Sequence, residues 1–386
     1  MAVSRSRLLA VCISSAVSTV LLITGCQGIT NSAAPQTAVP SSFVYVLSSP
    51  SSNNFAINAF SADSKGQLTP VPGSPFAANV VSIAANRNYL FGTDGTSIFS
   101  FSIGGNGALT QVSSMSIRQF NPNGVVAELF LDDTGETLYA VHFQIDGANE
   151  GYDSFRVDHS TGVLTFLGAT FTGCCGSVAL NFMANNVYGF APDCFHGDGS
   201  VALYKRNDDG TLTSISSGLD NFPDPTHLCP ESVAPGPAGT LAVAFGADGG
   251  PGIETTPPQG DGVVLAVYSV DSSGSLSTSS TVANMPHTDF GGNLIISPSG
   301  KFLASGGLGL EVFHFNGADP ITPFTGLLTN DVIDQIAWDS ANNLYAISLS
   351  ANKLSVFTVT ATNAGPAPGS PYAITNPMGI AIARRE

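Results

Sequence analysis

The chain has 386 residues, with 12 Lys and Arg against 28 Asp and Glu, for a formal net charge of −16. A surface this acidic is unsuited to nucleic acid, because phosphate binding needs clustered Lys and Arg, and the only lysines are Lys65, Lys205, Lys301 and Lys353. Charged residues make up 10% of the chain while 42 Gly and 24 Pro accompany 24 Phe and one Trp, a mix that suits strands joined by many turns.

Arg5 and Arg7 precede an apolar run over residues 8–23 that is diluted by Ser14, Ser15, Ser18 and Thr19. The run is too short for a comfortable membrane span and reads as an export signal. It ends in Leu22-Ile23-Thr24-Gly25-Cys26, which resembles the lipobox of bacterial lipoproteins. The resemblance implies removal of residues 1–25 and lipidation of Cys26; a plain cleaved signal peptide and a retained anchor are the competing readings. Residues 26–42 hold few groups that could be buried and read as a flexible tether. Gln27 follows the cysteine where an acidic residue would resemble an inner-membrane retention signal, so outer-membrane residence is expected in a Gram-negative cell. The expected partner on this side is the lipid bilayer, and the chain is expected to act as a monomer.

From residue 43 to 386 the sequence repeats. Seven short strands each carry an aromatic: Phe60, Phe101, Phe155, Tyr204, Tyr268, Phe313 and Phe357. In the first six, a Leu or Ile followed by Thr or Ser comes eight or nine residues later, as in Leu68-Thr69 and Leu164-Thr165. Gly66, Gly107, Gly162, Gly210 and Gly274 stand two residues before that position, as a hairpin turn needing positive φ requires. A further turn and strand precede each aromatic strand, as in Asp132-Asp133-Thr134-Gly135-Glu136-Thr137-Leu138-Tyr139. Units of about four strands, without helical periodicity between them, predict an all-β, seven-bladed β-propeller. The first unit lacks an inner strand, and residues 378–383 supply one with nothing to follow, so the C-terminal strand is expected to close the ring on the N-terminal blade.

These signatures, with the paired segments Val71-Pro72-Gly73-Ser74-Pro75-Phe76 and Ala367-Pro368-Gly369-Ser370-Pro371-Tyr372, resemble the seven-bladed lactonase family of propeller-type 6-phosphogluconolactonases and carboxymuconate-lactonising enzymes. The resemblance covers residues 43–386 and implies a site of His, Arg and Glu side chains at one mouth of the central channel. The family's segment Pro-His-x-His-Ser-Val, then Val-Pro-Asp, matches Gly173-Cys174-Cys175-Gly176-Ser177-Val178 and Ala191-Pro192-Asp193. Asp193 carries over, whereas Cys174 and Gly176 replace the two histidines. The family's Gly-Pro-Arg-His appears as Cys229-Pro230-Glu231-Ser232, so its basic pair is gone.

Cys174, Cys175, Cys194 and Cys229 all fall in loops on the face where chains enter the inner strands. In an oxidising compartment they are expected to form two disulfides, either joining Cys174 and Cys175 to Cys194 and Cys229 or including a vicinal Cys174–Cys175 bond. Arg118, His142, Asp193 and His196 are the candidate catalytic groups on that face, since an imidazole beside a carboxylate is what general-base ester hydrolysis needs. His227, Glu231, His287 and Asp289 are candidate binding residues there. The Gly/Pro-rich stretch 246–262 reads as an insertion over the mouth. Nucleophile-elbow, zinc-protease, phosphate-loop and dinucleotide motifs are lacking, and neither a cofactor nor a metal is expected. Two functions fit. One is an envelope binding or scaffold module holding a glycan, a peptide or another envelope protein on its loop face; the other is a hydrolase opening an unphosphorylated lactone.

Overall fold

The computed structural model describes residues 40–385 apart from 52–53, 121–123, 145–149, 174–179, 184, 194–199, 216–221, 225–228, 247–261 and 289–291. Cys26, Cys174, Cys175, Cys194, His196, His227 and Asp289 lie outside the described residues, as does nearly all of the stretch 246–262. The strands form seven antiparallel sheets of four or five strands, the seven blades expected. Their inner strands, in ring order, are Pro377–Arg384, Ser82–Ala85, Gly124–Leu131, Asn181–Phe182, Cys229–Gly236, Asn293–Ile296 and Gln335–Trp338. We number the blades 1 to 7 in that order.

Closure follows the expected route. Pro377–Arg384 pairs antiparallel with Ser42–Ser51, from Ser42 opposite Arg384 to Ser48 opposite Pro377, and so completes blade 1 with both chain ends. Six of the repeated aromatics lie on the third strand of their blade, and Phe313 lies in the second half of the long strand Phe302–Asn316 of blade 6. The five turn glycines all have positive φ, between 73° and 95°. At Gly107 a side chain is doubly excluded, because an added Cβ would lie 2.6 Å from the Phe43 ring and 2.8 Å from Val71.

The hydrophobic core has no single centre but lies between neighbouring blades. Phe43 and Tyr45 of blade 1 pack with Leu90 and Phe101 of blade 2, and Phe190 and Leu203 of blade 4 pack with Val243 and Phe245 of blade 5. Hydrogen bonds stitch the same seams. On the second strands, Tyr45, Tyr89, Tyr139 and Tyr188 each donate a phenolic O–H to a carbonyl in the outer hairpin of the next blade, at Gly107, His159, Gly210 and Ser272. These tyrosines fix a common register around that part of the ring.

Among the described residues, the outer strand is broken in four blades. In blades 1, 5, 6 and 7 a hydroxyl, from Ser74, Ser280, Thr325 or Ser370, accepts the third-strand N–H at the break, at 2.8–3.0 Å. The paired Pro-Gly-Ser-Pro segments supply two of these hydroxyls. Blade 6 departs from the expected hairpin. One strand, Phe302–Asn316, pairs with the inner strand through its first half and with the outer strand through its second. Gly306, Gly307 and Gly309 let the backbone pass through without a polar loop, Gly309 at φ 131°.

Candidate functional site

The inner strands surround a central cavity of about 430 Å³ to which all seven blades contribute. Two residues beyond the tyrosine position on each second strand, the paired inner-strand residues form one ring. In blade order they are Gly379, Ala84, Glu128, Asn181, Ser232, Asn293 and Gln335. All seven line the cavity, and Glu128 is the one ionisable side chain among the described residues that do so.

Most of the polar members hold blades together. Ser232 Oγ accepts the Leu294 N–H at 3.1 Å, Gln335 Oε1 accepts the Ile380 N–H at 3.0 Å, and Asn293 Nδ2 donates to the Asp334 carbonyl at 2.9 Å. Ser82, lining the same cavity, accepts the Leu129 N–H at 3.2 Å. Glu128 takes no part in this stitching. It interrupts an otherwise apolar stretch, Val125-Val126-Ala127-Glu128-Leu129-Phe130-Leu131, and burial pushes its carboxyl up to about 7. A group poised near neutrality can give or take a proton, or change its charge, in the physiological range.

The opposite end of the channel differs in character. There a cavity of about 460 Å³ is lined by Arg87, Asp132, Asp133, Trp338 and Arg384. Burial raises the Asp133 carboxyl, opposed by the Arg384 charge and reinforced by Asp132. Asp132 is committed to the fold, since Arg206 Nε lies 3.0 Å from its Oδ2 and the Glu136 N–H donates to its Oδ1.

The structure does not bring the described candidates from the sequence together at the channel. Arg118 sits in the short 3₁₀ turn Ile117–Gln119 leading into blade 3 and is exposed. His142 is not a rim residue: it is fully buried within blade 3, its Nδ1 3.4 Å from Asp153 Oδ1, with both side chains at most 1% exposed. The Phe171 ring lies edge-on to it at 5.8 Å. Strand alternation turns His142 into the blade, so its imidazole is not offered to a ligand at the mouth. Asp193 ends the strand Tyr188–Asp193 opposite Ser200, and its side chain is outside the described set.

Glu231 falls at a bulge between Pro230 and Ser232. Its carboxylate lies over Gly246, where no Cβ would fit, rather than in the cavity. His287 is exposed in the short strand His287–Thr288, which extends blade 5. Among the described residues no group of three or more His, Cys, Asp and Glu side chains converges as a metal site requires. Sequence reasoning missed Glu128, although an acid within an apolar inner strand was a readable signal.

No family model matches the sequence, and no curated protein matches it. The fold is similar to that of the periplasmic gluconolactonase PpgL of Pseudomonas aeruginosa, with TM-score 0.63 and 13% identity over 88% of this chain and 98% of that one. It is also similar to a candidate 6-phosphogluconolactonase of Bacteroides uniformis, with TM-score 0.59 and 13% identity over 88% and 99% of the two chains. The chain therefore has the seven-bladed fold seen in propeller-type lactonases. Hydrazine synthase of Kuenenia stuttgartiensis is similar as well, with TM-score 0.52 and 13% identity over 87% and 99%. A fold shared with a protein of so different a name carries no chemistry by itself.

Proposed function

We propose that the protein is an exported lipoprotein, tethered through Cys26, whose propeller is a binding module using its loop face and channel mouth. The observation that carries the binding reading is the lining of the cavity. It holds one carboxyl among neutral amides and hydroxyls, several already spent on holding blades together. Disulfides among Cys174, Cys175, Cys194 and Cys229 would preorganise that face, and Cys229 is a half-cystine, which supports this part of the reading. The ligand classes on the loop face are a glycan, a peptide or another envelope protein.

A second reading, a hydrolase opening an unphosphorylated lactone, is favoured by one specific observation. With burial raising it to about 7, Glu128 is a fit general base for a water attacking a lactone carbonyl. A phosphorylated substrate fits poorly, since no Lys, Arg or His is among the described residues lining the cavity.

Proton release by the mature chain, disulfides intact, against unphosphorylated sugar lactones, aliphatic lactones and aryl esters separates the two. The binding reading predicts no turnover above buffer. Turnover that disappears in Glu128→Gln would overturn it and establish the hydrolase.

A further inference from the structure

Two polar members of the channel ring have no side-chain partner among the described residues. Glu128 and Asn181 occupy the same step on adjacent blades, both line the cavity, and neither makes a hydrogen bond or ion pair with any described residue. A polar group facing a cavity without a protein partner is left to solvent or to a ligand, and a buried carboxylate gains most from a compensating positive charge.

The space around them is shaped. On the other side of Glu128 the ring carries only Ala84 and Gly379, and an added Cβ at Gly379 would meet its nearest atoms at 3.7–3.8 Å, ordinary van der Waals contact, so the ring side chains of blades 1 and 2 take up little of the cavity. Above the ring, described residues of blades 1, 2 and 3 are apolar. Val81 and Met378, 39% and 40% exposed, line the cavity, and Val125, 37% exposed, stands on the same strand as Glu128. The cavity, about 430 Å³, is in the size range of small-molecule sites.

We propose that this channel mouth binds a small organic ammonium ion, with its N–H groups on the Glu128 carboxylate and the Asn181 amide oxygen and its apolar body against Val81 and Met378. The inference rests on the binding reading above and adds to it a small-molecule ligand inside the channel mouth, distinct from those proposed for the loop face. Charge complementarity selects the cation over other occupants. An anion would meet a carboxylate with no cationic side chain among the described lining residues. A divalent metal would need several oxygen ligands where one carboxylate stands. A sugar would find an apolar rim. The other described charged groups nearby are directed elsewhere. Glu231 lies over Gly246, and Asp334 Oδ2 accepts the Leu349 N–H at 2.6 Å. Arg118 is exposed on its turn, while Arg87, Arg384, Asp132 and Asp133 line the far end.

The test is calorimetric titration of the mature chain with n-hexylammonium, n-hexanol and n-hexanoate. Saturable binding of hexylammonium is expected at about pH 8, at least about tenfold tighter than either analogue and about tenfold weaker near pH 5.5, where Glu128 is protonated. Glu128→Gln, checked for an unchanged melting temperature at low pH, should weaken hexylammonium about tenfold and abolish its pH dependence, whereas Asn181→Leu should weaken it about threefold and keep that dependence. Equal binding of hexanol or hexanoate, wild-type affinity in Glu128→Gln, or no binding of hexylammonium overturns the proposal. Failure of the underlying binding reading would instead show as lactone turnover, a separate signal.

Discussion

Removal of residues 377–386 is expected to unfold the whole ring rather than one blade. The deleted strand is the inner strand of blade 1 and pairs with Ser42–Ser51 along nearly its full length. It also carries the Ile380 N–H bonded to Gln335 of blade 7 and places the Arg385 guanidinium 4.6 Å above the Phe43 ring. Phe43, Val44, Tyr45, Val46 and Leu47 are 0% exposed in the intact protein, and deletion would open the edge that covers them. Each large side chain so uncovered forfeits about 1.5–3 kcal/mol of burial, and a few of these equal a typical net stability of about 5–15 kcal/mol. Circular dichroism melting should show no cooperative transition for the truncated chain. A sharp transition within a few degrees of the parent would mean that the ring does not depend on this closure.

Asp339→Ala is expected to have the largest effect among single substitutions in the turns. Asp339 lies between the first and second strands of blade 7 and is 0% exposed. Its Oδ1 accepts the Ala341 and Asn343 N–H groups, both at 2.9 Å, and its Oδ2 accepts Asn343 Nδ2 and the Tyr345 O–H, both at 2.8 Å. Burial, and then the neighbouring Asp339 charge, raises the Tyr345 hydroxyl far above its ordinary range, so that phenol stays a donor. Truncation strands several buried donors at once, and a loss of about 3–5 kcal/mol is expected from urea unfolding. Tyr345→Phe removes one donor only and should cost about 1–2 kcal/mol. Equal costs for the two variants would show that the carboxylate does not organise the turn.

The blade count was legible because its signals are local and repeated. A repeated aromatic in every blade and a glycine at five of the outer hairpins recur whatever happens between them, and unmatched first and last strands imply closure. Blade 6 was read less well, since Ser305-Gly306-Gly307-Leu308-Gly309 has no polar loop and the chain runs straight through. The site was harder for a different reason. Which inner-strand residues share one level depends on the register of seven separate strand pairs, and no local pattern encodes that alignment. His142 reads as a polar residue on the loop face, but only the pairing of Thr137–Gln144 with Glu150–Val157 sets it beside Asp153 inside the blade. Glu128 stands out in the sequence as an acid within an apolar strand, but only the register places it in the channel.

The most direct measurement is a pH titration of side-chain carboxyl carbons in protein labelled at its seven glutamates, followed by nuclear magnetic resonance. Burial in the channel holds the Glu128 proton to about 7. One resonance should therefore titrate there, neutral below and charged above, and be missing from Glu128→Gln, while ordinary exposed glutamates titrate near about 4.3. If every glutamate titrates in the ordinary range, Glu128 is a solvated surface acid and the channel holds no poised binding group.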